Sequence, residues 1–164
     1  MKQDKFIQYI LVFCLFFLPL LGEEMDVDIK ADNFSADKSK NIIIFTGKVS
    51  MIKGADTLYC DKLTVLTKLT KDGKTLVKEY IAVGKVNITL KRPTTVIKGK
   101  GNQITYDVDN QIYVITGNGY LEDVAGQKII KGEKIHYDEK NGNTNIDGAK
   151  NKPVEFKLKI ESNK

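Results

Sequence analysis

Four near-copies of one short pattern follow each other along the chain, and this repetition constrains the fold more than any compositional average. ADNFSAD (31–37), CDKLTVL (60–66), GNQITYD (101–107) and GEKIHYD (132–138) each open with a small residue and two polar ones. A large apolar residue comes next, at Phe34, Leu63, Ile104 or Ile135, then Ser, Thr or His, and three of the four copies close on Asp. Ten residues beyond that Asp stands a glycine: Gly47 after Asp37, Gly117 after Asp107, Gly148 after Asp138. The second copy reaches Gly84 only after about eight extra residues, which include Asp72-Gly73, a strong hairpin-turn dipeptide. The insertion therefore reads as a longer hairpin inside an otherwise preserved repeat.

Each unit reads as a strand, a polar turn and a second strand. Segments such as VDIKA (27–31), TLYC (57–60), KVNITL (85–90) and QITYDV (103–108) show period-two alternation or a density of β-branched and aromatic residues. Apart from residues 6–21, no run of ten or more residues carries a 3.6-residue apolar face, so the chain is expected to be all-β. Alternate positions form one apolar set: Ile43, Phe45, Val49 and Met51; then Ala82, Val86, Ile88 and Leu90; then Tyr113, Ile115 and Leu121. The repeat glycines share this parity and are expected to face inward, where the chain bends or an opposing backbone approaches. One unit cannot bury its apolar face alone, whereas stacked units can, as one sheet folded over a shared interior. Periodicity does not distinguish a filled core from a lipid-accepting groove.

Length and composition narrow the function. The 164 residues support one domain, and 26 Lys and Arg against 21 Asp and Glu give a formal +5. From Phe6 to Leu21, 14 of 16 positions are hydrophobic, behind a start that carries Lys2 and Lys5. Residues 1–22 are read as a secretory signal peptide ending near Gly22, leaving 23–164 as the folded domain. A retained anchor is the alternative, although 16 residues are short for a span and Pro19 interrupts them. Removal of that segment leaves Cys60 as the lone cysteine, read as a small buried hydrophobe, so no intramolecular disulfide is available. His136 is the only histidine, so neither a metal site nor a Ser-His-Asp triad is supported. Asp37, Asp107, Asp109 and Asp138 fall in turns, where Asp bonds the local backbone. Gly117-Asn118-Gly119 does not open a helix, which argues against a dinucleotide site. Lys48, Lys53, Lys91, Arg92, Lys98 and Lys100 cluster near strand ends, as solvated edge guards or as contacts for an anionic headgroup. Nucleic acid is not an expected partner, because the basic tail lacks interleaved aromatics. No cofactor, metal or enzymatic activity is expected.

Taken together, VDIKADNFSAD…FTGKVSMIKG, AVGKVNITL, VIKGKGNQITYD…ITGNGYLED and IIKGEKIHYD resemble the OstA-like (LptA-type) proteins of lipopolysaccharide export, from about Asp28 to Leu158. The resemblance implies an open, twisted β-jelly-roll built from about four strand-turn-strand repeats, with a groove for the acyl chains of lipid A. It implies a periplasmic, non-catalytic carrier in outer-membrane biogenesis of a Gram-negative cell, powered by a partner. Protomers would join end to end, edge strand to edge strand, between an inner-membrane LptC-like protein and the OstA domain of an outer-membrane LptD-like one. The groove candidates it implies are Phe34, Ile43, Phe45, Val49, Met51, Leu63, Val86, Ile88, Ile104, Tyr106, Tyr113, Ile115, Leu121, Ile135 and Tyr137. The chain departs from the family pattern at Leu66, where Asp is expected, and at Gly119, where valine usually stands.

Overall fold

The computed structural model describes residues 26–160. They form ten strands: β1 (Val27–Lys30), β2 (Asn33–Asp37), β3 (Ile42–Lys53), β4 (Asp56–Leu69), β5 (Thr75–Lys91), β6 (Val96–Asp107), β7 (Ile112–Asp123), β8 (Lys128–Asp138), β9 (Asn143–Asp147) and β10 (Glu155–Leu158). All pairings are antiparallel in one meandering sheet of order β1-β3-β4-β5-β6-β7-β8-β10, with β2 also on β3 and β9 also on β8. β1 and β2 thus share one side of β3, and β9 and β10 share one side of β8. Among the described residues the sheet does not close, and each margin has a neighbour on one side only. The signal-peptide reading of residues 1–22 lies outside the described residues. Among the described residues no helix is long and apolar enough to cross a membrane.

A crease crosses the sheet where the repeats carry their glycine. Pairing slips between Thr46 and Val49, between Val83 and Val86, and between Thr116 and Gly119. At each slip two residues oppose one, a β-bulge that bends the strand. Both bulge residues have left-handed backbone: Gly47 and Lys48 at φ 82° and 46°, Gly84 and Lys85 at 86° and 47°, Gly117 and Asn118 at 73° and 54°. A Cβ on Gly47, Gly84 or Gly117 would stand 2.4–2.5 Å from the side chain of Asp32, Asp61 or Asn102, the second residue of each repeat. Those three side chains are exposed. The expectation of inward-facing glycines is thereby corrected, since what approaches is an exposed polar side chain and not buried backbone. Gly148 departs too. It lacks the left-handed backbone of the other three, and the chain leaves the sheet after Asp147 for residues 148–154 before β10 resumes.

The crease divides the sheet into two facing leaves. The near leaf carries the turns at 38–41, 70–74, 108–111 and 139–142; the far leaf carries those at 54–55, 92–95 and 124–127. Inward rows run strand to strand across each leaf. On the near leaf one row passes through Phe34, Phe45, Leu63, Ala82, Ile104, Ile115, Ile135 and Ile146. On the far leaf another passes through Ile29, Met51, Leu58, Ile88, Gly99, Leu121, Ile130 and Phe156. Leu63, Ile104, Ile115, Ile135, Val49 and Val86 are fully buried between the leaves. Each such side chain contributes about 1.5–3 kcal/mol on leaving water.

Glycine sets how closely the leaves approach. A Cβ on Gly101 would lie 2.6 Å from the Ile115 side chain, and one on Gly119 would lie 3.2 Å from that of Ile135. A Cβ on Gly132 would likewise lie 2.5 Å from Ile146. Near-leaf isoleucines of β7, β8 and β9 therefore settle onto far-leaf glycines of β6, β7 and β8. Gly119 is one of these seats, which accounts for its place in the third repeat. The corresponding positions nearer the N-terminus hold Val49, Cys60 and Val86, which place a buried side chain where the later strands have glycine.

The turns follow the sequence reading. Asp37 accepts hydrogen bonds from the amides of Ser39 and Lys40 at 3.0 and 3.2 Å. Asp107 accepts from the Asn110 amide and Asp138 from the Asn141 amide, both at 3.0 Å. The insertion in the second repeat is a lengthened β4–β5 hairpin, with Gly73 at φ 82° in its turn.

Candidate functional site

Where the leaves stand apart, they enclose a cavity of about 560 Å³. That volume lies within the roughly 300–1,000 Å³ typical of small-ligand pockets. Its far-leaf wall is formed by Met51, Leu58, Ile88 and Leu90, and its near-leaf wall by Tyr80, Ile104, Tyr106 and Tyr113. The tyrosines come from one cross-strand row, Tyr80–Tyr106–Tyr113–Tyr137, spanning β5 to β8. The rings of Tyr106 and Tyr113 stack at 4.2 Å between centroids, and those of Tyr113 and Tyr137 lie 6.3 Å apart. Such pairs add roughly 0.5–1.5 kcal/mol beyond their buried area. Burial raises the phenol pKa of all four above its ordinary value. They stay neutral and present a flat, weakly polar wall.

Charge is confined to the mouth. Lys53, Lys91 and Arg92 meet Asp56 and Glu139 there, three cations against two anions. Arg92 lies in the β5–β6 turn on the far leaf. Its Nη1 donates to Asp56 Oδ1 and Oδ2 at 2.8 and 3.0 Å, within the same leaf. Its Nε donates to Glu139 Oε1 at 2.6 Å, and its Nη2 is paired with the same oxygen. Burial alone would lower the guanidinium's pKa, but hydrogen bonds to Asp56 and Glu139 outweigh it and raise the value further, so Arg92 stays charged. Cys60 is buried, and its thiol is pushed up to about 11 by that burial and by neighbouring Asp61, so it remains protonated.

Of the fifteen groove candidates, Met51, Ile88, Ile104, Tyr106 and Tyr113 line this cavity. Val49, Leu63, Val86, Ile115, Leu121 and Ile135 are buried in the packed core, and Ile43, Phe45 and Tyr137 pack against it. Phe34 lies on the marginal strand β2, 65% exposed, with its ring 5.3 Å from that of Phe45. Leu58, Tyr80 and Leu90 are wall residues absent from the candidates. They continue the same alternation, two residues from Cys60, Ala82 and Ile88, so the signal for them was present. Nothing local in the sequence marks Asp56 or Glu139.

An open two-leaved sheet around a tyrosine-walled cavity is the architecture of a carrier or binding module. The chain belongs to the family described as LptA/(LptD N-terminal domain) LPS transport protein, whose model matches residues 28–143. It is 29% identical over 116 residues to the lipopolysaccharide export system protein LptA of Escherichia coli K12, covering 70% of this chain and 60% of that protein. The LptA of Haemophilus influenzae is 27% identical over 117 residues, covering 70% and 65%. The chain thus spans about 60% of the length of the first of these relatives. Its fold matches the crystal structure of LptH, described as the LptA-homologous periplasmic component of the lipopolysaccharide transport device of Pseudomonas aeruginosa. That match has a TM-score of 0.70 at 21% identity and covers 84% of this chain and 97% of LptH. The family's description is that of a transport protein.

Proposed function

We propose that this protein is a periplasmic component of lipopolysaccharide export that holds lipid A acyl chains between its two leaves, residues 1–22 having directed it across the inner membrane. The observation that carries this reading is the apolar cavity between the leaves of a family member, with charged groups only at its mouth. Acyl chains entering such a space gain about 0.8 kcal/mol per buried methylene, while sugars and phosphates stay at the rim. The unpaired margins, β1–β2 and β9–β10, support end-to-end joining by β-augmentation with copies of the chain and with related domains of LptC-like and LptD-like partners.

Photo-crosslinking in cells tests the groove. A crosslinker at Ile88 or Tyr113, both on the wall, is expected to form lipopolysaccharide adducts, whereas one at exposed Asn87 or Lys98 is not. Adducts at the exposed positions alone would reject the groove.

A further inference from the structure

Among the described residues one ion pair ties the two leaves together at the mouth of the cavity. Among the described residues, Lys40–Asp37, Lys68–Asp109 and Lys74–Asp72 lie within the near leaf. Arg92–Asp56, Lys98–Glu122 and Lys131–Glu155 lie within the far leaf. Only Arg92–Glu139 crosses the mouth, from the β5–β6 turn of the far leaf to the β8–β9 turn of the near leaf, and both residues line the cavity.

The two halves of the guanidinium are used differently. Nη1 is held by Asp56, a neighbour on its own leaf, and also donates to the Lys91 carbonyl at 2.9 Å. That side anchors Arg92 whether or not the mouth is shut. The Nε/Nη2 edge faces across the gap, and both its nitrogens converge on one oxygen, Glu139 Oε1. This edge is suited to a two-oxygen anion, taking one oxygen per nitrogen, and a phosphate or carboxylate offers such a pair. Arg92 is 30% exposed and Glu139 17%, so the edge is partly desolvated yet reachable from the mouth. An amphiphile whose chain fills the apolar cavity would bring its anionic group to this edge, beside the further cations Lys53 and Lys91.

We propose that Glu139 stands in for the ligand's anionic group: in the empty protein it clasps the leaves through Arg92, and the phosphate of an entering amphiphile replaces it and frees the mouth. This rests on the groove reading above and adds to it an anion site and a release step. Loading and opening become one exchange, in which Arg92 gives up a carboxylate of its own chain for an oxygen pair of the ligand. The clasp also selects, because a neutral amphiphile cannot compete for the guanidinium.

Two measurements separate this proposal from the reading beneath it. First, spin labels at Thr94→Cys and Lys140→Cys, exposed beside the two clasp residues, report the width of the mouth by electron-spin distance measurement. Dodecyl phosphate is expected to widen the distance in the otherwise native protein, and Glu139→Gln to widen it without ligand. An unchanged distance in Glu139→Gln overturns the clasp whatever the protein binds. Inorganic phosphate alone, if it widens the mouth as much as dodecyl phosphate, overturns the assignment to a lipid headgroup. Second, the affinity ratio of dodecyl phosphate to neutral dodecyl maltoside is compared among variants. Loss of the competing carboxylate is expected to raise the ratio about fivefold in Glu139→Gln, and Arg92→Gln to abolish the preference. A ratio that falls in Glu139→Gln, or survives in Arg92→Gln, overturns the exchange. Failure of the native protein to bind either amphiphile would overturn the groove itself, an outcome that the unliganded distance in Glu139→Gln does not depend on.

Discussion

Lys48 and Lys85 occupy left-handed backbone with ordinary side chains, while the third repeat places Asn118 at the same point of its bulge. Asn tolerates that conformation and most L-residues are strained there by about 1–2 kcal/mol. Lys85→Asn is therefore expected to stabilise the fold by about 0.5–1 kcal/mol in urea denaturation. Gly84→Ala should do the opposite. It adds a Cβ 2.4 Å from Asp61 Oδ2 at φ 86° and is expected to cost about 1–3 kcal/mol in the same assay. The turn aspartates give a prediction of a different kind. Hydrogen bonds hold the pKa values of Asp37, Asp107 and Asp138 below the ordinary aspartate value, with the Ser39 side chain, the Asn110 amide and the Asn141 side chain leading in turn. A carboxylate whose folded pKa is depressed stabilises the native state above its unfolded pKa, and that stabilisation fades as pH falls through the folded value. Asn substitution at the three sites is thus expected to weaken the fold at pH 7, and the difference from the native protein should shrink steadily below about pH 4. Parallel denaturation curves at pH 7 and pH 3 would check this.

At the level of elements, burial divides the strands unequally. Inward positions of β4 to β8 include Leu63, Ala82, Ile104, Ile115 and Ile135, all sealed between the leaves, whereas all four residues of β10 are exposed. Local opening is governed by such differences. Amide hydrogen exchange is expected to be slowest in the central strands β4 to β7 and fastest in β1, β2, β9 and β10, and uniform protection would contradict this ranking. The strands themselves were legible because alternation is a local property, and so were the turn aspartates, whose partners lie two or three residues away. The crease was half legible. Spacing identified the glycine of three repeats, but that Asp32, Asp61 and Asn102 pack against them depends on cross-strand register. Gly148 shows the limit of spacing: it keeps the ten-residue interval from Asp138, yet the strand that should carry its bulge has already ended. Gly101, Gly119 and Gly132 have meaning only once an isoleucine from the opposing leaf is seated on each. The Arg92–Glu139 contact spans 47 residues and exists only because the sheet folds over, which no motif records.

Considered as a whole, the described residues form a sheet whose two margins, unpaired among those residues, differ in character. The N-terminal margin is β1 and β2 on one side of β3; the C-terminal one is β9 and β10, separated by the detour at 148–154. If these margins join copies of the chain, assembly should grow with concentration in light scattering, and Leu158→Pro in β10 should suppress it by removing a backbone donor that faces away from β8. Mass independent of concentration in the native protein would count against the joint. The meander carries a separate kinetic consequence. Every pairing joins strands that are adjacent, or separated by one short strand, in chain order. Closing each such loop costs little entropy, and none of the pairings waits for a distant segment. A polypeptide delivered end first could lay down one strand at a time on the strand before it, each arrival serving as template for the next. Such a chain would be largely ordered, and its aggregation-prone edges largely occupied, before its last residues arrived.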